Sequence, residues 1–163
     1  YSNMNKKVLS VLVDNTSGVL NRVAGLFSRR GYNIDSLTVG VTQDPRYSRM
    51  TIVVTGDDDI IEQIIKQIEK LVDVNKVEVL EDNNSVCREL ILTKVKTTPE
   101  QRQQVMAVAD IFRAKIVDVG IDSLIIELTG NQNKLDAFLN LLADYEILEL
   151  VRTGITGLAR GTK

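Results

Sequence analysis

The stretch KKVLSVLVDNTSGVLNRVAGLFSRRG, residues 6–31, decides the fold. Lys7 to Val13 reads as a strand, and Asn15-Thr16-Ser17-Gly18 supplies turn and N-cap residues. Val19, Leu20, Val23, Leu26 and Phe27 then follow at helical spacing, and Gly31 ends the helix as a C′ glycine. Beyond it Leu37, Val39 and Val41 alternate as a second strand, Gln43-Asp44-Pro45-Arg46 breaks it, and Met50, Ile52 and Val54 alternate as a third. Gly56 and the acidic run 57–59 open a second helix with one apolar stripe at Ile60, Ile61, Ile64, Ile65, Ile68 and Leu71. A strand from Val74 to Leu80 closes a β-α-β-β-α-β unit over residues 4–81.

Past the polar Glu81-Asp82-Asn83-Asn84 linker the same order starts again. Val86 to Val95 reads as a strand, and Thr98-Pro99-Glu100-Gln101 carries a capping-box pattern with proline at the first helical position. Strands at 115–119 and 123–129 follow. Thr129-Gly130-Asn131 repeats Thr55-Gly56-Asp57 at an offset of about 74 residues, which sets Leu135, Phe138, Leu139 and Leu142 on Ile61, Ile64, Ile65 and Ile68. The expected fold class is α+β, with two ferredoxin-like units at 4–81 and 85–163.

The bulk numbers agree with that plan and narrow the function. With 44% hydrophobic and 26% charged residues in 163, the chain can fill two small cores. Twenty Lys and Arg against 22 Asp and Glu give no cationic field for nucleic acid or anionic lipid. Aromatic residues are only 4%, and Arg49-Met50-Thr51-Ile52-Val53-Val54 offers no base-stacking side chain, which argues against an RNA-recognition module. No apolar run approaches the roughly 20 residues of a membrane span, so no membrane partner is expected. No basic-then-apolar leader precedes the first strand, Met4 reads as a natural start, and Tyr1-Ser2-Asn3 is left out of the fold argument. Histidine is absent and Cys87 is the one cysteine, which removes Cys-His and Ser-His nucleophile pairs, His-containing metal sites and any internal disulfide. A cytoplasmic, non-catalytic chain is expected, with no catalytic or metal residues and no cofactor of its own.

The candidate ligand site lies in Asp14 to Leu20, where a strand end, a turn and a helix N-terminus fall together. A helix N-terminus receives carboxylates, Gly18 lets a ligand approach the backbone, and the Asn15 amide can both donate and accept. That suits an α-amino acid. Ordinary helix capping explains the same residues, so the residues alone leave both readings open. Gly31-Tyr32-Asn33-Ile34 leads into an edge strand of a ferredoxin-like sheet, and exposed edges invite pairing with a second copy. Pairing about a twofold would bring Asn33 of one copy towards the Asn15–Gly18 loop of the other.

Residues 8–56 are similar to the ACT domain of the acetohydroxyacid synthase (acetolactate synthase) small subunit. The resemblance is carried by Leu9-Ser10-Val11-Leu12, Asn15, Ser17-Gly18, Leu20, Arg22-Val23, Gly25-Leu26-Phe27, Arg30-Gly31-Tyr32-Asn33-Ile34, Ser36-Leu37-Thr38-Val39, Asp44-Pro45 and Ser48-Arg49-Met50-Thr51-Ile52. Lys70-Leu71-Val72-Asp73-Val74, Arg88-Glu89-Leu90, Ile111-Phe112-Arg113-Ala114, Lys134-Leu135-Asp136-Ala137-Phe138 and Gly157-Leu158-Ala159-Arg160-Gly161 extend it over nearly the whole chain. The resemblance implies a regulatory subunit that activates a separate large catalytic subunit holding thiamine diphosphate, Mg and FAD. It also implies feedback inhibition by valine, bound between two ACT domains of a homodimer by the residues matching Asn15, Gly18 and Asn33, with Ser17, Val19, Leu20 and Ile34 nearby. The second unit lacks such a loop, since Lys96-Thr97-Thr98-Pro99 has no glycine and Pro99 removes a donor. The alternative is an ACT sensor regulating another enzyme or a transcriptional system.

Overall fold

The computed structural model describes residues 5–162; the reading of Met4 and of the three residues before it lies outside them. The first unit begins with β1 (Asn5–Asp14), α1 (Val19–Arg30), β2 (Ile34–Val41) and β3 (Tyr47–Gly56). α2 (Asp58–Glu69) and β4 (Val74–Leu80) complete it. The sheet order is β2-β3-β1-β4, antiparallel throughout, so the two strands nearest in sequence to the chain start and to the hairpin lie at its centre. Alternation sends Leu9, Val11 and Val13 of β1 and Met50, Ile52 and Val54 of β3 to one face. There they meet Val19, Val23, Leu26 and Phe27 of α1 and Ile61, Ile64 and Ile68 of α2. Each such side chain removed from water contributes about 1.5–3 kcal/mol, and this core is what holds α1 against the sheet.

The second unit is built from β5 (Ser85–Lys96), α3 (Pro99–Ile111), β6 (Lys115–Val119), β7 (Ser123–Gly130), α4 (Gln132–Leu141) and β8 (Glu146–Arg152), with strand order β6-β7-β5-β8. Ile91, Val95, Leu124, Ile126 and Leu128 of its sheet pack under Val105, Ala109, Leu135, Phe138 and Leu142. The internal repeat is visible in detail. Gly56 and Gly130 each end a strand one residue before an N-cap, Asp57 or Asn131, whose side chain accepts the amide three residues on. A Cβ at either glycine would come within 3.0 Å of Ile60 or 2.7 Å of Lys134, the residue one helical turn ahead. Strand end and helix approach closely at both places, so a side chain there would have to push Ile60 or Lys134 aside. The predicted capping box of α3 is present in both directions, Thr98 Oγ1 accepting from Gln101 N (3.2 Å) and Gln101 Oε1 accepting from Thr98 N (3.0 Å).

The chain divides into compact units differently from the 85–163 expectation. The second unit spans 88–154, and the described residues from Ile155 onward belong to the first. The sheet face of the first unit turned away from the helices carries Ser10, Thr51 and Val53, which are nevertheless buried. Over that face Ile155 N donates to Ser36 Oγ (3.0 Å) and Thr38 Oγ1 donates to Ile155 O (3.4 Å), both on edge strand β2. β9 (Thr156–Ala159) then pairs with β5, and a Cβ on Gly157 would lie 2.7 Å from Cys87 Sγ and 3.0 Å from Leu80 at the end of the opposite edge strand β4. The segment is a strap from one edge of the sheet to the other. Among the described residues no helix is long and apolar enough to cross a membrane.

Candidate functional site

The turn between β1 and α1 differs from every other helix start among the described residues. α2, α3 and α4 each have an N-cap side chain, from Asp57, Thr98 and Asn131. The N-cap of α1 is Gly18, left-handed at φ 85, with no side-chain cap. Asn15, Thr16 and Ser17 therefore do not cap the helix. Val19 N reaches back to Thr16 O (3.5 Å) and Arg22 N closes the first helical bond to Gly18 O (3.0 Å). The amides of Leu20 and Asn21 have no helical acceptor, as the first turn of any helix requires, and here no side chain substitutes. α1 also has no acidic residue in its first turn, so its positive end is uncompensated from within the helix.

Asn15 holds the turn rather than standing free. Its Nδ2 donates to Pro45 O (3.0 Å), its Oδ1 accepts from Ser48 Oγ (3.1 Å), and its backbone N donates to Arg46 O (2.7 Å). One amide hydrogen and one lone pair remain for a ligand. The loop it grips is tied within itself: Asp44 Oδ1 accepts from Arg46 N (3.1 Å), and its carboxylate forks onto the Arg46 guanidinium (2.7 Å at the shortest). That pairing, led by the side-chain hydrogen bond, holds the Asp44 carboxyl below its ordinary range. Ser48 is not among the site residues expected from the sequence; the register Val13↔Ser48 sets it diagonally across from Asn15, close enough for its hydroxyl to reach the Asn15 Oδ1.

Val19 is buried under the turn, while Asn15, Ser17 and Leu20 are exposed and Gly18 is half-buried. Asn33 is exposed and Ile34 half-buried at the start of β2. These last two do not join the others within one chain. Ile34 is level with Val54, which is level with Lys7, seven residues from Asp14 along β1. At about 3.4 Å per residue that is more than 20 Å from the turn.

The second unit closes the equivalent corner with its own groups. Thr97 N donates to Asp122 O (2.8 Å), as Asn15 N does to Arg46 O, but Thr98 caps α3 and Arg102 Nη2 covers the carbonyls of Gly120 (2.6 Å) and Ile121 (2.8 Å). No uncapped amide pair is left there.

Two family models together match most of the chain. One described as the AHAS small subunit-like ACT domain covers residues 9–76, and one described as the small subunit of acetolactate synthase covers 88–161. The chain belongs to the acetolactate synthase small-subunit family. It is 52% identical to a probable acetolactate synthase small subunit of Archaeoglobus fulgidus, over 97% of this chain and 99% of that protein. It is 48% identical to the acetolactate synthase small subunit of Haemophilus influenzae, over 97% and 98%. The crystal structure of the acetolactate synthase small subunit from Thermotoga maritima superimposes with a TM-score of 0.89 at 45% identity, covering 98% of this chain and 99% of that one. The chain is thus a regulatory small subunit of acetolactate synthase with two ferredoxin-like units, the first an ACT domain. The Gly157–Arg160 part of the family resemblance falls on the strap, where only glycine fits at 157.

Proposed function

We propose that this small subunit senses a branched-chain amino acid, valine first, at the turn between β1 and α1. The observation that carries the reading is the uncapped start of α1: three helices close their N-termini with side chains and the fourth presents bare amides over a glycine. A carboxylate placed on the Leu20 and Asn21 amides would satisfy them and offset the helix dipole. The remaining hydrogen and lone pair of Asn15 are suited to the same amino acid's polar end, with Ser17, Val19 and Leu20 around it.

The separation of Asn33 and Ile34 from the turn supports a site completed by a second copy. Antiparallel pairing of two β2 edges sets the start of one strand beside the end of the other, and β2 ends next to Ser48 and hence Asn15. A twofold then yields two equivalent sites. On this reading the homodimer regulates a separate large catalytic subunit in the cytoplasm, and thiamine diphosphate, Mg and FAD belong to that partner. Valine favours a dimer arrangement that activates the partner less, a coupling of about 1–3 kcal/mol that acts reciprocally on valine affinity.

The test is calorimetric titration of valine, leucine, isoleucine and an unrelated amino acid into the wild type and Asn15→Ala. Saturable valine binding that weakens in the variant is the expected result. Absence of binding by all four would reject the sensor and leave a ligand-independent activator.

A further inference from the structure

A glycine turn populates many conformations unless its neighbours select one. Asn15 fixes the front of this turn, and a second clamp grips its back. Arg22, the fourth residue of α1, folds across the helix start: its Nη2 donates to Ser17 O (3.5 Å) and its Nη1 lies 3.0 Å from the point a Gly18 Cβ would occupy. Its Nε donates to the carboxylate of Asp73, whose side chain is only 13% exposed. Asp73 is itself tied to the end of β1, since its backbone carbonyl accepts from Asp14 N (2.8 Å). The strand end, the turn, the first turn of α1 and the connection between α2 and β4 therefore meet in one ion pair. A cation this near the positive end of a helix is unfavourable in itself. Asp73 compensates it, and a carboxylate arriving at the turn adds to that compensation.

We propose that Arg22, held by Asp73, is the positioning residue of the effector site: it sets the Ser17–Gly18 turn in the left-handed form that presents the free amides of α1, acting through the turn. This rests on the sensor reading above and adds to it a residue pair outside the set drawn from the sequence. Arg22 and Asp73 stand 51 residues apart, so nothing local in the sequence joins them.

The experiment titrates valine into the full-length chain carrying Arg22→Gln, Asp73→Asn or both, and measures each thermal midpoint without valine. Asp57→Ala, which removes the cap of α2, is the control for plain destabilisation. Loss of a charge-assisted bond that selects the turn should weaken valine binding about tenfold in either single variant. The double variant should be no weaker than the singles, because one clamp is lost in all three. Asp57→Ala should lose thermal midpoint with its valine affinity unchanged. Unchanged affinity in Arg22→Gln and Asp73→Asn, or equal weakening in Asp57→Ala at the same loss of midpoint, overturns the positioning role while wild-type binding keeps the sensor. Absence of binding in the wild type itself overturns both.

Discussion

At the residue scale two glycines and one arginine carry separable demands. Gly18 has φ 85 and a neighbour 3.0 Å from its missing Cβ, so Gly18→Asp strains the turn, displaces Arg22 and, on the proposed reading, sets a negative charge where the effector carboxylate would bind. Calorimetry should show valine binding abolished, and activation of the catalytic subunit should persist, since the core beneath the turn is untouched. Retained valine response would refute the site. Arg113 occupies in the second unit the left-handed position that Gly31 fills in the first, each followed by an amide bonding five residues back. A non-glycine residue there costs roughly 1–2 kcal/mol in strain, part of which glycine gives back through unfolded-state entropy. Arg113→Gly should therefore raise the thermal midpoint of the second unit by a degree or more, measured by calorimetric scanning. Asp44, by contrast, gives a pH signature. Its carboxyl is held low by the Arg46 guanidinium, so the fork is intact above the ordinary carboxylate range and is lost only as pH falls through the lowered value. Carbon-detected NMR titration should show Asp44 protonating below an ordinary aspartate and moving back towards the usual range in Arg46→Ala, with the part of the lowering due to the residue-46 backbone amide retained.

At the element scale, what was legible in the sequence was what periodicity and caps encode. The stripe 60–71, the box at Thr98 and Gln101, and Gly31 all fix elements from neighbours a turn apart, and the helices form there. The role of the 15–18 stretch was legible only as an ambiguity, because Asn, Thr and Ser before a helix usually cap it; the left-handed Gly18 that excludes capping is a tertiary outcome, held by Asn15, Arg22 and contacts 30 to 51 residues away. The strap was illegible for the same reason. Nothing in residues 155–162 announces that they return to Ser36, Thr38 and Leu80, more than seventy residues back. Its importance is measurable through Gly157, where a side chain would strike Cys87 Sγ at 2.7 Å and the backbone of Val86 at 3.0 Å. Gly157→Val should push the strap away from Cys87 and Leu80, a loss of about 1–3 kcal/mol by overpacking. Hydrogen exchange should report it as lost protection in β9 and at the start of β5 that it pairs with, with β5 to β8 beyond residue 88 unaffected.

At the scale of the whole molecule the chain leaves the first unit at 87 and rejoins it at 155, so the second unit is inserted within the first. The point of return is held by Glu89, buried at 6% exposure, whose carboxylate takes Arg152 Nη2 (2.7 Å) and the amide of Gly154 (3.1 Å). The two units have separate cores and, among the described residues, only the first has an open helix start, so a ligand at that start should stabilise one core and not the other. A ligand at a hundred times its dissociation constant adds about 2.7 kcal/mol to the state that binds it. Scanning calorimetry with and without saturating valine should therefore resolve two transitions, one moving up by several degrees and one fixed. Glu89→Gln sharpens the test: it should destabilise the unit of the fixed transition by about 1.5–3 kcal/mol, the worth of hydrogen bonds to a charged group, and lower its midpoint while leaving the valine shift of the other intact. If both transitions rise together with valine, the units unfold as one and the effector's free energy is shared by the whole chain, and the sensing corner cannot then be treated as the property of the first unit alone.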